Sequence, residues 1–364
     1  MNRLTAIGIA SLVAYGALLV AKWGDAPAGR ESAPAVARTA PAGSSAAPAR
    51  GESLVVADNA PRSAPMPLAA PVSTPIVARP VVGVAADFRN TRDLKAFVDA
   101  LNARKGQLTA EERFYLAKAL ESCLFANSVN EDLASYSAKQ RKQFLASLPA
   151  GDPTAPQRIA AYDTVDDAAR CVRFQGVKIS QRDIDDHYRA AAQLGDARAQ
   201  AKILTAELQS RLAAQPREEN GGPSRLAPED LARIVNLLET RDPEALLAVG
   251  GLLAQSPLKE LLRVGPNGEI PEPSAFIGAW NLVACDLGLD CGAQHRDLAQ
   301  ACAFASYCGA GHFEEHYQTF IASPFVYQQA QRYRALIHAA LRTQDWAQIG
   351  LGPKLTTATR VASR

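Results

Sequence analysis

Residues 180–200 read SQRDIDDHYRAAAQLGDARAQ. Ile184, Tyr188 and Ala191 recur at helical spacing and mark one apolar stripe, with Ser180 and Asp183 at its start. Gly195 stops this helix because glycine takes the left-handed cap conformation at little cost, and Asp196 stands where the next helix needs a side-chain cap. So short a joint makes the second helix fold back on the first.

The same grammar recurs on both sides. Leu94, Phe97, Val98 and Leu101 form another apolar stripe. Thr109 with Glu112 is a capping box for a helix carrying Phe114, Ala117, Leu120 and Leu124. A third helix is expected from Asn130 to before Pro149, with Leu133, Phe144, Leu145 and Leu148. Pro156 suits the first turn of a helix running through Ile159, Val165 and Val172, with Cys171 at its end. Ser274 is expected to cap a helix through Ile277, Trp280 and Val283, and another is expected from about Arg296 to Cys308-Gly309. Val264–Ile270, with its Asn-Gly pair, is the one turn or hairpin interruption.

The fold class is therefore all-α: stacked antiparallel helices, arranged as a helical repeat or an orthogonal bundle. One helical subdomain is assigned to 86–215 and a second to 229–352. A polar loop at 216–228 separates them, and Lys354, Arg360 and Arg364 mark a basic tail at 353–364.

Residues 188–200, with an aromatic, paired alanines, a glycine and a following Ala-Gln, resemble the Sel1-like branch of the tetratricopeptide superfamily. A second echo lies at 237–246, so the resemblance covers 184–255. It implies helix pairs packed closely through small residues, and concave surfaces suited to peptides and proteins.

The amino-terminal part is a different material. Leu4 to Ala21 is uncharged, preceded by Arg3 and closed by Lys22-Trp23, a pair suited to a membrane–water interface. Residues 1–24 therefore read as a signal anchor, or as a signal peptide cleaved near Ala26-Pro27-Ala28. Residues 25–85 carry prolines at 27, 34, 41, 48, 61, 65, 67, 71, 75 and 80 and no aromatic residue. Such a stretch buries too little to offset its conformational entropy and reads as a disordered linker. Either reading of the leader puts the domain outside the cytoplasm, expected on the periplasmic side of a bacterial inner membrane or exported after cleavage.

Six cysteines, at 123, 171, 285, 291, 302 and 308, are an even set in an exported chain and read as disulfides. Cys123 and Cys171 lie far from the other four and are expected to pair. Pairing among the four stays open, with one constraint. Six residues of continuous helix span about 9 Å, so Cys302 and Cys308 should pair elsewhere unless the helix breaks between them. The Cys-x5-Cys spacing is too wide for a structural zinc site.

Composition excludes several functions. The formal charge is +2 with basic and acidic residues interspersed, which gives no footprint for nucleic acid. Phosphate-binding, nucleophile-elbow and dinucleotide motifs are absent from the sequence, and no cofactor is implied. Asp286 and Asp290 flank Gly288 without the rest of a calcium loop, and His187 beside Asp185 and Asp186 reads as a surface pair. His312-Phe313-Glu314-Glu315-His316 fits the His-x-x-Glu-His form of inverted zinc hydrolases. A catalytic zinc needs a third protein ligand, and none is evident among His187, His295 and His338. The expectation is a membrane-tethered protein-interaction or scaffold module whose partner is another envelope protein or peptide. The alternative is an envelope hydrolase using His312, Glu315 and His316.

Overall fold

The computed structural model describes residues 82–104, 107–214, 225–255, 257–293 and 295–352. The expected membrane segment 4–21, the linker up to residue 81, positions 216–224 of the polar loop and the basic tail lie outside the described residues. Among those described, no helix is long and apolar enough to cross a membrane.

The architecture is all-α, and among the described residues extended pairing is confined to isolated bridges such as Val264 with Glu269, where the Asn-Gly turn was expected. The first helices are α1 (Val84–Asn90), α2 (Leu94–Asn102) and α3 (Ala110–Ser122). They are followed by α4 (Leu133–Ser147), α5 (Ala155–Val165) and the single turn α6 (Asp167–Arg170). Then come α7 (Gln181–Gln193), α8 (Ala197–Ala214), α9 (Pro228–Glu239) and α10 (Pro243–Gln255). The last described α-helices are α11 (Pro273–Asp286), α12 (Arg296–Ala305), the single turn α13 (Phe313–His316) and α14 (Pro324–Thr343).

Local signals explain most boundaries. Thr109 and Glu112 form the complete capping box of α3, and Gly195 sits at φ 92 between α7 and α8. Asp196 then accepts from the Ala199 N–H at 3.0 Å. Four expectations are corrected. Helix α1 begins at Val84, inside the stretch assigned to the linker. The helix expected to run through Val172 breaks at Asp166, whose carboxylate accepts from the Ala169 N–H and starts α6 instead. Glu272, not Ser274, caps α11, because Pro273 already occupies its first turn. Helix α12 stops at Ala305, where Ser306 is left-handed at φ 61 and the Tyr307 N–H returns to the Ala301 carbonyl at 3.2 Å.

Helix α3 packs on α7, α7 on α8, α8 on α10, α10 on α11 and α11 on α14, while α5 packs against α12. Two main cores result. The first gathers Phe97, Phe114, Tyr115, Leu116, Phe174, Ile184 and Tyr188. The second is larger and centres on Trp280, with Phe276, Leu246, Val249, Leu253 and Ile337 around it. Helix α8 serves both, since Ala199 belongs to the first core while Ala201 and Leu204 belong to the second. Salt bridges join the layers: Lys118 to Glu244 at 3.0 Å and Lys202 to Glu121 at 2.7 Å. Arg198 lies over the Phe114 ring at 4.6 Å and donates to Asp196 at 2.6 Å.

The cysteines pair as Cys123–Cys171, Cys285–Cys291 and Cys302–Cys308. The first is the pair expected. The last meets the exception left open for Cys302 and Cys308, since the helix does break between them. The left-handed residue at Ser306 turns the chain back and brings the two Cα atoms to 4.4 Å, less than half the span of an unbroken helix.

Candidate functional site: an aromatic cleft

A cleft of about 500 Å3 opens between α4, α5 and the end of α12. Helix α4 gives it one wall, because Tyr136, Gln140, Gln143, Phe144 and Ser147 fall on one face at helical spacing. Asp132 caps this helix by accepting from the Ser135 N–H at 2.8 Å, and the Gln175 side chain accepts from the Leu133 N–H at 2.8 Å. Helix α5 supplies Tyr162 and Val165. The Tyr162 ring stacks on Phe144 with centroids 4.3 Å apart, and Phe304 meets both edge-on at 5.8 and 6.0 Å.

Phe304 is 52% exposed, an unusual cost for so large an apolar side chain. It lies in the last turn of α12, inside the span that the Cys302–Cys308 disulfide closes. The Cys302–Cys308 disulfide closes a short loop that displays Phe304 and Tyr307, and Tyr307 stacks on Phe320 at 4.9 Å. Arg158 fixes the base of this loop from α5. Arg158 is 8% exposed, and its guanidinium donates to the Ala303 carbonyl at 3.0 Å and to Asp152 at 2.9 Å.

The polar lining divides into two groups. Asp166 and Asp167 are already engaged: Asp166 caps α6 and accepts from Ser137, and Asp167 takes both Nη atoms of Arg296 at 3.1 and 2.5 Å. The amides of Gln140 and Gln143 and the hydroxyls of Tyr136 and Tyr162 are different, for they make no hydrogen bond with any described residue. Burial, reinforced by the Asp166 charge, pushes the Tyr162 phenol up to about 12, so it stays a neutral donor. The cleft thus sets one exposed ring, Phe304, over the buried Phe144–Tyr162 stack, beside the polar side chains of α4.

The His-x-x-Glu-His segment is used otherwise. His312 caps α13, its Nδ1 accepting from the Glu314 N–H at 3.2 Å, and Glu315 accepts from the Gly311 N–H at 2.8 Å. His316 is 4% exposed beside Tyr307 and Phe320, and burial holds its pKa below the ordinary value. Among the described residues no group of three or more His, Cys, Asp or Glu side chains has an arrangement suited to a metal ion. His187 is half-buried rather than at the surface, and its pKa is likewise lowered by burial.

Asp286, considered in the sequence as a calcium ligand, faces α14 instead. It accepts from Arg334 Nε at 2.6 Å and lies 2.7 Å from His338 Nε2. Arg334 also reaches Glu314 at 2.9 Å, as does the Tyr327 hydroxyl. With its carboxylate saturated by Arg334, this His–Asp pair pins α14 to α11. Asp290 instead pairs with Arg89 of α1.

Sequence reasoning missed the cleft. Its signal was an α4 face that mixes aromatic rings with amides, and a phenylalanine placed between two close cysteines. Comparison with protein-family models, curated proteins and solved structures yields no match.

Proposed function

We propose that this chain is an exported interaction module, held at the periplasmic face of a bacterial inner membrane by residues 4–21. Its helical domain docks a peptide segment of another envelope protein in the cleft between α4 and α5. The observation that carries this reading is Phe304, an aromatic ring left exposed in the last turn of α12 and set edge-on against the Phe144–Tyr162 stack. The three disulfides accord with an oxidising compartment. The resemblance of 184–255 to Sel1-like repeats supports an interaction module in general, through residues that line no part of this cleft.

The test is site-specific photo-crosslinking in living cells. A photoreactive residue at Gln143, in the cleft, is expected to give one discrete protein adduct. The same probe at Ile270, exposed in the 264–270 turn, should give none. Carbonate-resistant membrane association and an externally active reporter fused after Arg364 would support the tether. Equal labelling at both positions would overturn the assignment of the cleft.

A further inference from the structure

At the end of α12 the local helix signals and the observed fold disagree. Read locally, the helix that starts at Arg296 runs on through Ser306, Tyr307 and Cys308, because no residue in that stretch breaks a helix before Gly309. Gly309 already stands at φ 97, the conformation of a helix stop. Yet α12 ends at Ala305, and the left-handed residue that ends it is a serine, which lacks glycine's freedom there. The Cys302–Cys308 bond accounts for the difference. It holds the two Cα atoms 4.4 Å apart, whereas one continuous helix through both would hold them about 9 Å apart. Bond and longer helix exclude each other.

Exposure singles out the same bond. Cys123, Cys171, Cys285 and Cys291 are each no more than 3% exposed, whereas Cys308 is half-buried between the exposed Tyr307 and Gly309. A thiolate can therefore reach the Cys308 sulfur without unfolding the domain. Closing a loop between residues 6 apart also contributes less to stability than closing one between residues 48 apart, as Cys123–Cys171 does.

We infer that Cys302–Cys308 is a redox switch whose reduction extends α12 by one turn, to Cys308. An external dithiol supplies the two electrons. Its first thiolate bonds to Cys308 Sγ while the cystine bond breaks, and that bond's electron pair leaves on Cys302 Sγ, which takes up a proton. The second thiolate then displaces Cys308 Sγ, which is protonated in turn, and the dithiol departs as a cyclic disulfide. Ser306 becomes helical and Gly309 becomes the stop. Gly311 takes up the change in chain direction before the bridge of His312 with Gly292. In the longer helix Tyr307 follows Phe304 on the same face, so it leaves Phe320 and turns toward the cleft. The switch does not depend on what binds that cleft.

The test titrates the full chain in detergent with dithiothreitol. Alkylation and peptide masses report each cystine, and hydrogen exchange reports the amides of 306–309. Cys302–Cys308 is expected to open at a dithiol concentration roughly tenfold below that needed for the other two. Losing a cross-link ordinarily speeds exchange, but here the 306–309 amides should slow about threefold as they gain helical partners. Ser306→Gly suits the left-handed turn and weakens the helix, so it should lower the equilibrium constant for reduction about tenfold, while Ser306→Ala should raise it about twofold. Opening of all three bonds together, or exchange at 306–309 that is unchanged or faster after reduction, would overturn the inference. So would an equilibrium constant indifferent to both substitutions.

Discussion

The two cores are built by different means. The first, around Phe114 and Tyr188, is rich in rings, with Lys118, Arg198 and Lys202 laid over them, and its helices are stapled by a disulfide between residues 48 apart in sequence. The second is aliphatic and close-packed around Trp280. A Cβ on Gly250 would stand 2.2 Å from the Trp280 ring, and one on Gly278 would stand 2.2 Å from the Tyr317 hydroxyl oxygen. The other two disulfides join residues only 6 apart, and their cysteines belong to neither core. The larger core is held by packing alone, and the two short-range cystines close loops outside it. In the smaller core the cystine adds to stability directly.

The largest expected effect breaks the packed core. Trp280→Ala empties its centre and should cost about 5 kcal/mol, the upper end for a fully buried aromatic, read from denaturant midpoints at unchanged slope. Loss of the Cys123–Cys171 bond by double alanine substitution comes next. Releasing that long loop should cost about 4 kcal/mol in the chain-entropy model. The same substitution at Cys302 and Cys308 opens a short loop and should cost about 2 kcal/mol. Nearly equal losses at the two disulfides would show that the contrast between the halves is wrong.

A smaller effect sharpens the comparison by pH. His316 is buried beside Tyr307 and Phe320, and burial, which disfavours the charged ring, holds its pKa below the ordinary value. The unfolded chain takes up a proton near its ordinary value while the folded chain does not. Stability is therefore unaffected above about pH 6.5 and falls as pH drops below it, levelling off once the buried ring also titrates. His316→Phe should flatten that limb of the stability profile. A profile unchanged by the substitution would contradict the buried neutral assignment.

Much of this fold was readable because helix grammar is local. The Thr109–Glu112 box, Gly195 and Asp196 act within a turn of where they stand, and the structure follows them. Cys123 and Cys171 were readable by elimination. The pairing of Cys302 with Cys308 was not, since it depends on a left-handed serine, a conformation that the sequence does not flag. The cleft was hidden for a different reason. Its walls come from residues 136–147, 162–168 and 304, and their meeting is set by α5 packing on α12 through Arg158, a contact between residues 145 apart. His312 and Glu315 looked like chemistry in sequence, yet their atoms serve the first turn of α13.

The central claim is that Phe304 is kept exposed for docking rather than for folding, and Phe304→Ala separates the two. Because the ring is half in water, its removal should change stability by no more than about 1 kcal/mol, or a few degrees in melting midpoint. The measurement pairs that melting midpoint with the yield of the Gln143 photo-adduct in cells. The account predicts a near-native midpoint with adduct yield reduced at least tenfold. A near-native midpoint with undiminished adduct would contradict it.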